Sequence, residues 1–337
     1  MQGSGIALAD TKWLLLQVRK KVMLTVDRLP KYMCTETIDR SMSRPEAKAF
    51  ERSCDDLASL RKKTGWRVRK YESDRLRLDV AISSGGEMYS RAGEDRFQDR
   101  SLADLVQAGA TSTGAFADFL SSIFGTNAAN FTYYRDVNAD GHALAEFGFR
   151  VPLEKSGYRI ESKVHGAIVA YDGTFLVNPT SFDLVRLTVR ADQLPAEINA
   201  CEDTTTLDYG SVRLNDSEFL LPKEVHLHVY MTDGSESENR TVFSGCHEFL
   251  GESSLNFGKA PQVQQAMAQK AALKALALPS GLKFRLALTH AIDTATAAAG
   301  DPIKAKLTTP IKEMHNDVLV PKGAAITGRI VRGHRRL

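Results

Sequence analysis

The chain has 337 residues, of which 43% are apolar, 25% charged and 8% aromatic. This length predicts about two domains, and the composition is typical of a globular protein, which excludes a wholly disordered chain. The net charge of +3 is too small to indicate a nucleic-acid partner, so none is expected. No apolar run approaches the roughly 18 residues that a membrane-spanning helix needs, and we expect at most a peripheral contact with a membrane.

The first predicted element is an amphipathic helix at about residues 12–28. Its apolar residues recur at helical spacing, and Pro30 marks its end, because proline disfavours helix at the residue before it. A short strand is predicted at 31–40. The polar stretch 44–63 is interpreted as a loop or a loose helix.

The apolar pattern then changes to a period of two. In Arg75–Ser83 the apolar side chains share one face and the charged ones the other, as in a half-buried strand. Turn residues separate further short strands, and the near absence of helices between them favours antiparallel meanders over βαβ units. These strands are predicted at 87–90, 130–137, 142–151, 158–162, 167–177, 185–190, 205–214, 224–231 and 240–249.

One helical insert with an aromatic face interrupts this series of strands. In residues 112–124 a stripe of apolar side chains at helical spacing ends at Gly125. The preceding residues 101–106 are interpreted as a second short helix. The stripe consists of Phe116, Phe119, Leu120, Ile123 and Phe124.

A domain boundary is predicted in the last quarter of the chain. Residues 257–278 have a helix-forming composition and are interpreted as a linker helix after a main domain at 1–256. Beyond it, alternating residues at 279–337 predict a second, small β module. It is short enough to be an incomplete barrel.

Four cysteines, none in a C-x-x-C pair, leave three disulfide pairings open. We expect Cys34–Cys54 and Cys201–Cys246, one bridge in each half of the main domain. Disulfides require an oxidising compartment and therefore export. No signal peptide is visible at residues 1–10, so either the native start lies elsewhere or the protein stays inside the cell with four reduced thiols.

The metal signals in the sequence are weak. Residues 136–141 read D-x-N-x-D-G, the first half of a calcium loop, but the twelfth position is Phe147 and a polar hairpin turn is preferred. His226 and His228 share one face of a strand, where His247 could join them, yet no spacing fixes a third ligand. We expect no metal and no cofactor.

The sequence contains none of the local motifs of nucleophilic, zinc-dependent or nucleotide-binding enzymes. The basic run 61–70 is interpreted as a solvated edge, because only two aromatics lie near it. These observations favour a protein that is not an enzyme.

Residues 173–187 form a strand, a proline turn and a second strand, beginning Gly-Thr-Phe-Leu-Val-Asn-Pro-Thr. This hairpin resembles the G-x-F-x-(V/L)-(D/N)-P-x-T hairpin of periplasmic lipoprotein carriers and outer-membrane lipoprotein localisation factors. The two cysteine-bearing segments 29–40 and 243–249 resemble an uncharacterised family of bacterial envelope proteins, with a likeness over 14–256. Residues 299–303 and 320–328 are similar to turns in barrel domains of envelope-spanning secretion and conjugation proteins.

The resemblance implies a mainly β (α+β) fold, a curved, half-open antiparallel β-barrel with an N-terminal helix and short lid helices. It implies a protein of the periplasm or cell envelope that holds a lipid or acylated ligand on an apolar concave face. The lid residues expected to bind are Phe116, Phe119, Leu120 and Ile123, and those of the sheet are Leu76, Leu78 and Val80. Any one of them could equally be plain core.

Two alternatives stay open. The half-barrel could be an interaction module that docks another envelope protein. Less favoured is an enzyme acting on an envelope polymer with carboxylates from separate strands, which a facing pair with one raised pKa would indicate.

Overall fold

A computed structural model gives the structure of the chain. It describes residues 8–46, 53–64, 67–83, 86–94, 97, 102–106, 110–139, 141–161, 165–191, 193–248, 278, 282–312, 318–333 and 335–336. The chain divides into two compact units. The large unit comprises Met1–Phe249, Thr294–Asp301 and Arg329–Leu337, and the small unit Leu250–Asp293 and Pro302–Gly328.

The sequence assigns all of 279–337 to one module, whereas two stretches of it belong to the large unit in the structure. The predicted linker helix at 257–278 lies outside the described residues apart from Leu278, so the predicted boundaries stay a prediction.

The large unit contains four described α-helical segments. They are α1 (Leu8–Arg28), α2 (Cys54–Thr64), α3 (Leu102–Leu105) and α4 (Asp118–Leu120), and α4 continues as a π-helical turn at Ser121–Gly125. The long helix α1 ends two residues before Pro30, as predicted. None of the helices in the described part of the chain is long and apolar enough to cross a membrane.

Strands make up most of the large unit. They are β1 (Tyr32–Pro45), β2 (Val68–Ser83), β3 (Gly86–Arg91), β4 (Asn130–Ala139), β5 (His142–Val151), β6 (Arg159–Glu161), β7 (Gly166–Ile168), β8 (Tyr171–Val177), β9 (Leu184–Ala191), β10 (Ala200–Leu214), β11 (Ser217–Met231) and β12 (Glu236–Glu248).

The small unit holds β13 (Leu286–Leu288), β14 (Pro302–Leu307), β15 (Ile311–Lys312) and β16 (Val318–Val320), with β17 (Ala325–Arg329) ending at its boundary. β13, β14 and β17 form one sheet, and β15 pairs with β16. The terminal β18 (Arg335–Arg336) belongs to the large unit.

One antiparallel sheet of 11 strands dominates the large unit, in the order β18-β2-β1-β12-β11-β10-β9-β8-β5-β4, with β3 also paired to β2. Among the described strands, β4 at one end pairs only with β5, so the sheet does not close into a barrel. The mainly β class and the half-open antiparallel architecture are therefore confirmed.

The sheet curves around the aromatic insert. The ring of Phe116 lies 5.7 Å from that of Tyr32 on β1, and the ring of Phe124 lies 6.1 Å from that of Phe131 on β4. Seven inter-strand steps separate β1 from β4, which is about 34 Å in a flat sheet. Phe116 and Phe124 are only eight positions apart in a segment that is a turn followed by a helix, about 12 Å at helical rise. The part of the sheet from β1 to β4 therefore bends around this segment.

Apolar and polar residues alternate along the strands, so that one face of β1 and of β2 points into the core enclosed by the curved sheet. On β2, the predicted apolar residues Leu76, Leu78, Val80 and Ile82 are all buried. On β1, the inward positions include Glu36, which is buried between apolar neighbours. Helix α1 packs Leu14, Val18 and Val22 into the same core.

The predicted disulfide pairing is wrong. The bridges are Cys34–Cys246 and Cys54–Cys201. The last long strand, β12, returns to pair with β1, with Thr35 opposite Ser244, and this register brings Cys246 beside Cys34. Cys54, at the start of α2, reaches the first residues of β10 instead.

The aromatic helix is also shorter than predicted. The sequence pattern predicts helix from 112, but helical structure begins only at Asp118. Gly114 adopts φ +83°, which is incompatible with a right-handed helix. The two backbone amides of Gly114 and Phe116 donate hydrogen bonds to the carboxylate of Glu87 instead.

Candidate ligand-binding site

A cavity of about 600 Å³ opens on the inner face of the large unit. The ends of β1 and β2, α3 and two stretches from the C-terminal part, 299–300 and 329–332, surround it. Sites for small molecules in proteins measure about 300–1,000 Å³. The cavity is therefore large enough for one such ligand.

Part of the cavity lining is apolar. Leu76 and Leu78 are two residues apart on β2 and so share the inward face, and α3 contributes Leu105 with Val106 just after it. The apolar lining consists of Met42, Tyr71, Leu76, Leu78, Leu105, Val106, Ala299, Ile330 and Val331.

The lining also carries charge. Five arginines line the cavity, against two carboxylates. The arginines are Arg40, Arg44, Arg91, Arg329 and Arg332, and the acids are Glu72 and Asp74.

Arg40, the least exposed arginine at the cavity, forms an ion pair with Asp74. Arg40 lies opposite Asp74 across β1 and β2, and its guanidinium donates two hydrogen bonds to that carboxylate, at 2.8 and 2.6 Å. Only 10% of the Arg40 side chain is exposed. This bidentate pair neutralises both charges and supports the wall without offering a free charge to a ligand.

Two further arginines, Arg91 and Arg329, both lie close to the carboxylate of Glu94. Arg329 lies 3.7 Å from the Glu94 carboxylate and Arg91 lies 3.9 Å from it. Arg329 also donates hydrogen bonds to the carbonyl oxygens of Gly300, at 2.8 Å, and Ala92. These contacts attach the stretch before the C-terminus to the edge of the sheet.

The two remaining arginines are at the rim. Arg332 has 63% of its side chain exposed and lies 4.0 Å from Glu72. Arg44 is exposed, and its guanidinium carbon lies 4.0 Å from the centre of the Tyr71 ring. Within the described part of the chain, no carboxylate forms an ion pair with Arg44.

The structure distributes the predicted binding residues over two places. Leu76 and Leu78 line the cavity. Val80, one inward position further along β2, is fully buried in the core. The four residues predicted on the lid, Phe116, Phe119, Leu120 and Ile123, are buried in the core as well, with exposures of 5% or less.

Two acids on the inner side of the sheet were not predicted from the sequence, Glu36, which is buried, and Glu87, which is half-buried. Glu87 accepts hydrogen bonds from the Tyr89 hydroxyl at 2.6 Å and from two backbone amides, while burial raises its pKa. Burial, with a smaller contribution from the charge of Glu87, raises the pKa of Glu36 to about 8. The sequence does contain a signal for the burial of Glu36. In the alternating pattern of β1 it occupies the same face as Cys34 and Ile38, which point inward.

The predicted histidine pair does not share one site. His226 bonds to Glu224, while His228 bonds to Glu236, and that bond raises the pKa of His228. Glu238 is the third member of the only group of potential metal ligands among the described residues, with ligand atoms within 4.8 Å of one another.

The positive charge of Arg61 already lies next to these three residues, since its guanidinium is 3.9 Å from the Glu236 carboxylate. His247 bonds to the carbonyl oxygen of Gly245. The segment that resembles half of a calcium loop forms the β4–β5 hairpin, in which Gly141 has φ +78° and Asp140 lies outside the described residues.

No protein-family model matches the sequence, and neither does any curated protein. Solved structures include similar chains. A LolA superfamily protein of Nitrosomonas europaea is 9% identical, with a TM-score of 0.34, and the similarity covers 71% of this chain and 94% of that one. A putative outer membrane lipoprotein-sorting protein domain of Vibrio parahaemolyticus is 10% identical, with the same TM-score and the same coverage.

A DUF1329 family protein of Desulfovibrio piger is 9% identical, with a TM-score of 0.27 over 72% of this chain and 94% of that one. All three TM-scores lie below 0.5.

Proposed function

We propose that the large unit binds one amphiphilic molecule, a lipid or an acylated ligand, in the cavity on the inner face of its sheet. The observation that carries this proposal is the division of the cavity wall. Leu76, Leu78 and Val106 form a buried apolar part, and Arg44 and Arg332 stand at the exposed rim. An acyl chain buried against the apolar part contributes about 0.8 kcal/mol per CH₂ group.

The same lining supports a function without covalent chemistry. The residues described around the cavity include no histidine or cysteine. The inner carboxylate, Asp74, accepts both of its strong hydrogen bonds from Arg40. Asp74 is thereby held in a bidentate ion pair as the structural partner of Arg40.

We also propose the periplasm or another oxidising part of the cell envelope as the site of action. Both disulfides join distant parts of the large unit, with sequence separations of 212 and 147 residues. Such bridges persist in exported proteins and are rare in the cytosol. A carrier there would meet the membrane at its surface only.

The test is a fluorescent fatty-acid titration of the purified, delipidated protein. Met42 lines the cavity and is half-buried, so Met42→Trp fills part of the space. Met88 is 43% exposed on β3 and outside the cavity, so Met88→Trp is the matched control. We expect Met42→Trp to weaken binding about tenfold and Met88→Trp to leave it unchanged, because only the first removes room for the chain.

Native mass spectrometry of the protein from an exporting host provides the second readout. A discrete lipid mass that Met42→Trp removes supports the proposal. Equal probe binding by both tryptophan variants, or no binding by a protein with native circular dichroism, would overturn it and favour the docking of an envelope protein.

A further inference from the structure

We propose that the amphiphile carries an anionic head group, a carboxylate or a phosphate, and that Arg44 holds this group at the mouth of the cavity. This inference rests on the proposed function, since it concerns the polar end of the same ligand. An apolar groove alone would not distinguish an anionic head group from a neutral one, whereas an arginine at its mouth would.

The first step is the excess of positive charge. Five arginines line the cavity against two carboxylates, Glu72 and Asp74, and the additional acid Glu94 is shared by Arg91 and Arg329. Counting Glu94, guanidinium groups still outnumber the carboxylates around the cavity. A region that is enriched in one sign of charge attracts a ligand of the other sign.

The second step is the state of Arg44. Its guanidinium stacks on the Tyr71 ring at 4.0 Å, and in the described region no carboxylate is paired with it. Stacking uses the face of the planar group and leaves the N–H donors on its edge available. Those donors match the two oxygens of a carboxylate or phosphate, with the plane already fixed by the ring.

The third step is the order of the groups along the cavity. Leu76 and Leu78 are buried inside, and the Arg40–Asp74 pair, with 10% and 16% exposure, lies between them and the rim. Arg44 lies four residues beyond Arg40 on β1 and is exposed. A ligand whose chain contacts the leucines therefore presents its head group to Arg44.

The experiment compares two lipids with the same acyl chain, lysophosphatidylglycerol and the uncharged, phosphate-free monoacylglycerol, below the concentrations at which they aggregate. Binding is measured by competition with the fluorescent fatty acid at low salt, for the wild-type protein, Arg44→Gln and the control Arg150→Gln. Arg150 is exposed on β5, six strands from β1 in the sheet order.

We expect the wild-type protein to bind the anionic lipid about fivefold more tightly, with a preference that declines as salt increases. Arg44→Gln should abolish the preference while keeping the affinity for the monoacylglycerol, which has no anionic group for Arg44, and Arg150→Gln should retain the preference. Inorganic phosphate alone should not displace the probe, which distinguishes a lipid head group from a free anion.

Equal affinities of the wild-type protein for the two lipids would overturn the head-group inference and leave the proposed function intact. Displacement of the probe by phosphate alone would overturn it as well, because the anion would then bind without a chain. Failure of both lipids to bind would instead overturn the proposed function itself.

Discussion

The Glu87 carboxylate accepts a hydrogen bond from the backbone N–H of Phe116 at 3.2 Å. It also accepts hydrogen bonds from the Gly114 amide, at 2.8 Å, and from the Tyr89 hydroxyl. Glu87 belongs to β3, whereas Phe116 is the first ring of the aromatic insert. One half-buried side chain therefore attaches the insert to β3.

We predict that Glu87→Gln destabilises the large unit by about 2 kcal/mol, because a glutamine offers one acceptor oxygen and turns its amide toward the remaining donor. Urea unfolding followed by circular dichroism measures the change. Glu154→Gln, at an exposed position, is the control and should change stability by less than about 0.5 kcal/mol. Equal stability of the two variants would contradict the attachment.

The two disulfides make a prediction about both connectivity and stability. Non-reducing digestion and mass spectrometry should yield peptides that join Cys34 to Cys246 and Cys54 to Cys201. Replacing both members of either pair by serine should cost about 2–5 kcal/mol, since each bridge closes a long loop in the unfolded chain. A peptide joining Cys34 to Cys54 would contradict the observed β1–β12 register.

Gly173 permits a close approach between β8 and β9. A Cβ atom there would lie 1.8 Å from the backbone oxygen of Thr188 and 2.9 Å from the Phe149 ring. Gly173→Ala should therefore destabilise the protein by about 2–4 kcal/mol, because backbone atoms cannot move aside cheaply. Gly157→Ala, where a Cβ meets nothing within 4 Å, is the control in the same thermal unfolding experiment.

The local part of the fold was predictable from the sequence, and the pairing of distant strands was not. A period of two in Arg75–Ser83 fixes which side chains face inward, and all four predicted ones are buried. The pairing of β12 with β1 joins residues about 200 positions apart, and no local pattern encodes it. The disulfide prediction failed for this reason, since it assumed that neighbouring halves close on themselves.

The candidate site shows the same division. Leu76 and Leu78 were predicted from the alternation of β2, and they line the cavity. Arg332 at the rim comes from a C-terminal stretch that the sequence assigns to another module, although it belongs to the large unit. The charged rim is assembled from separate segments, so only a structure brings it together.

The buried Glu36 carboxyl gives a pH prediction. Its cross-strand neighbours are Leu78 and Phe243, and the titratable groups facing it are Glu87 and Tyr89 on β3. Burial raises the pKa of Glu36 from the ordinary 4.5 to about 8. The folded protein then binds more protons than the unfolded chain between these values, so this group makes stability fall as the pH rises from about 4.5 to about 8.

Glu36→Gln cannot ionise, so it should remove this part of the pH dependence. We expect the variant to be of order 2 kcal/mol more stable than the wild-type protein at pH 8 and nearly equal to it at pH 5, in urea unfolding at both pH values. Glu197→Gln, at an exposed position, should follow the wild-type protein throughout. A Glu36→Gln variant that is less stable than the wild-type protein by the same amount at both pH values would show that the native carboxyl is ionised and bonded, against the burial found here.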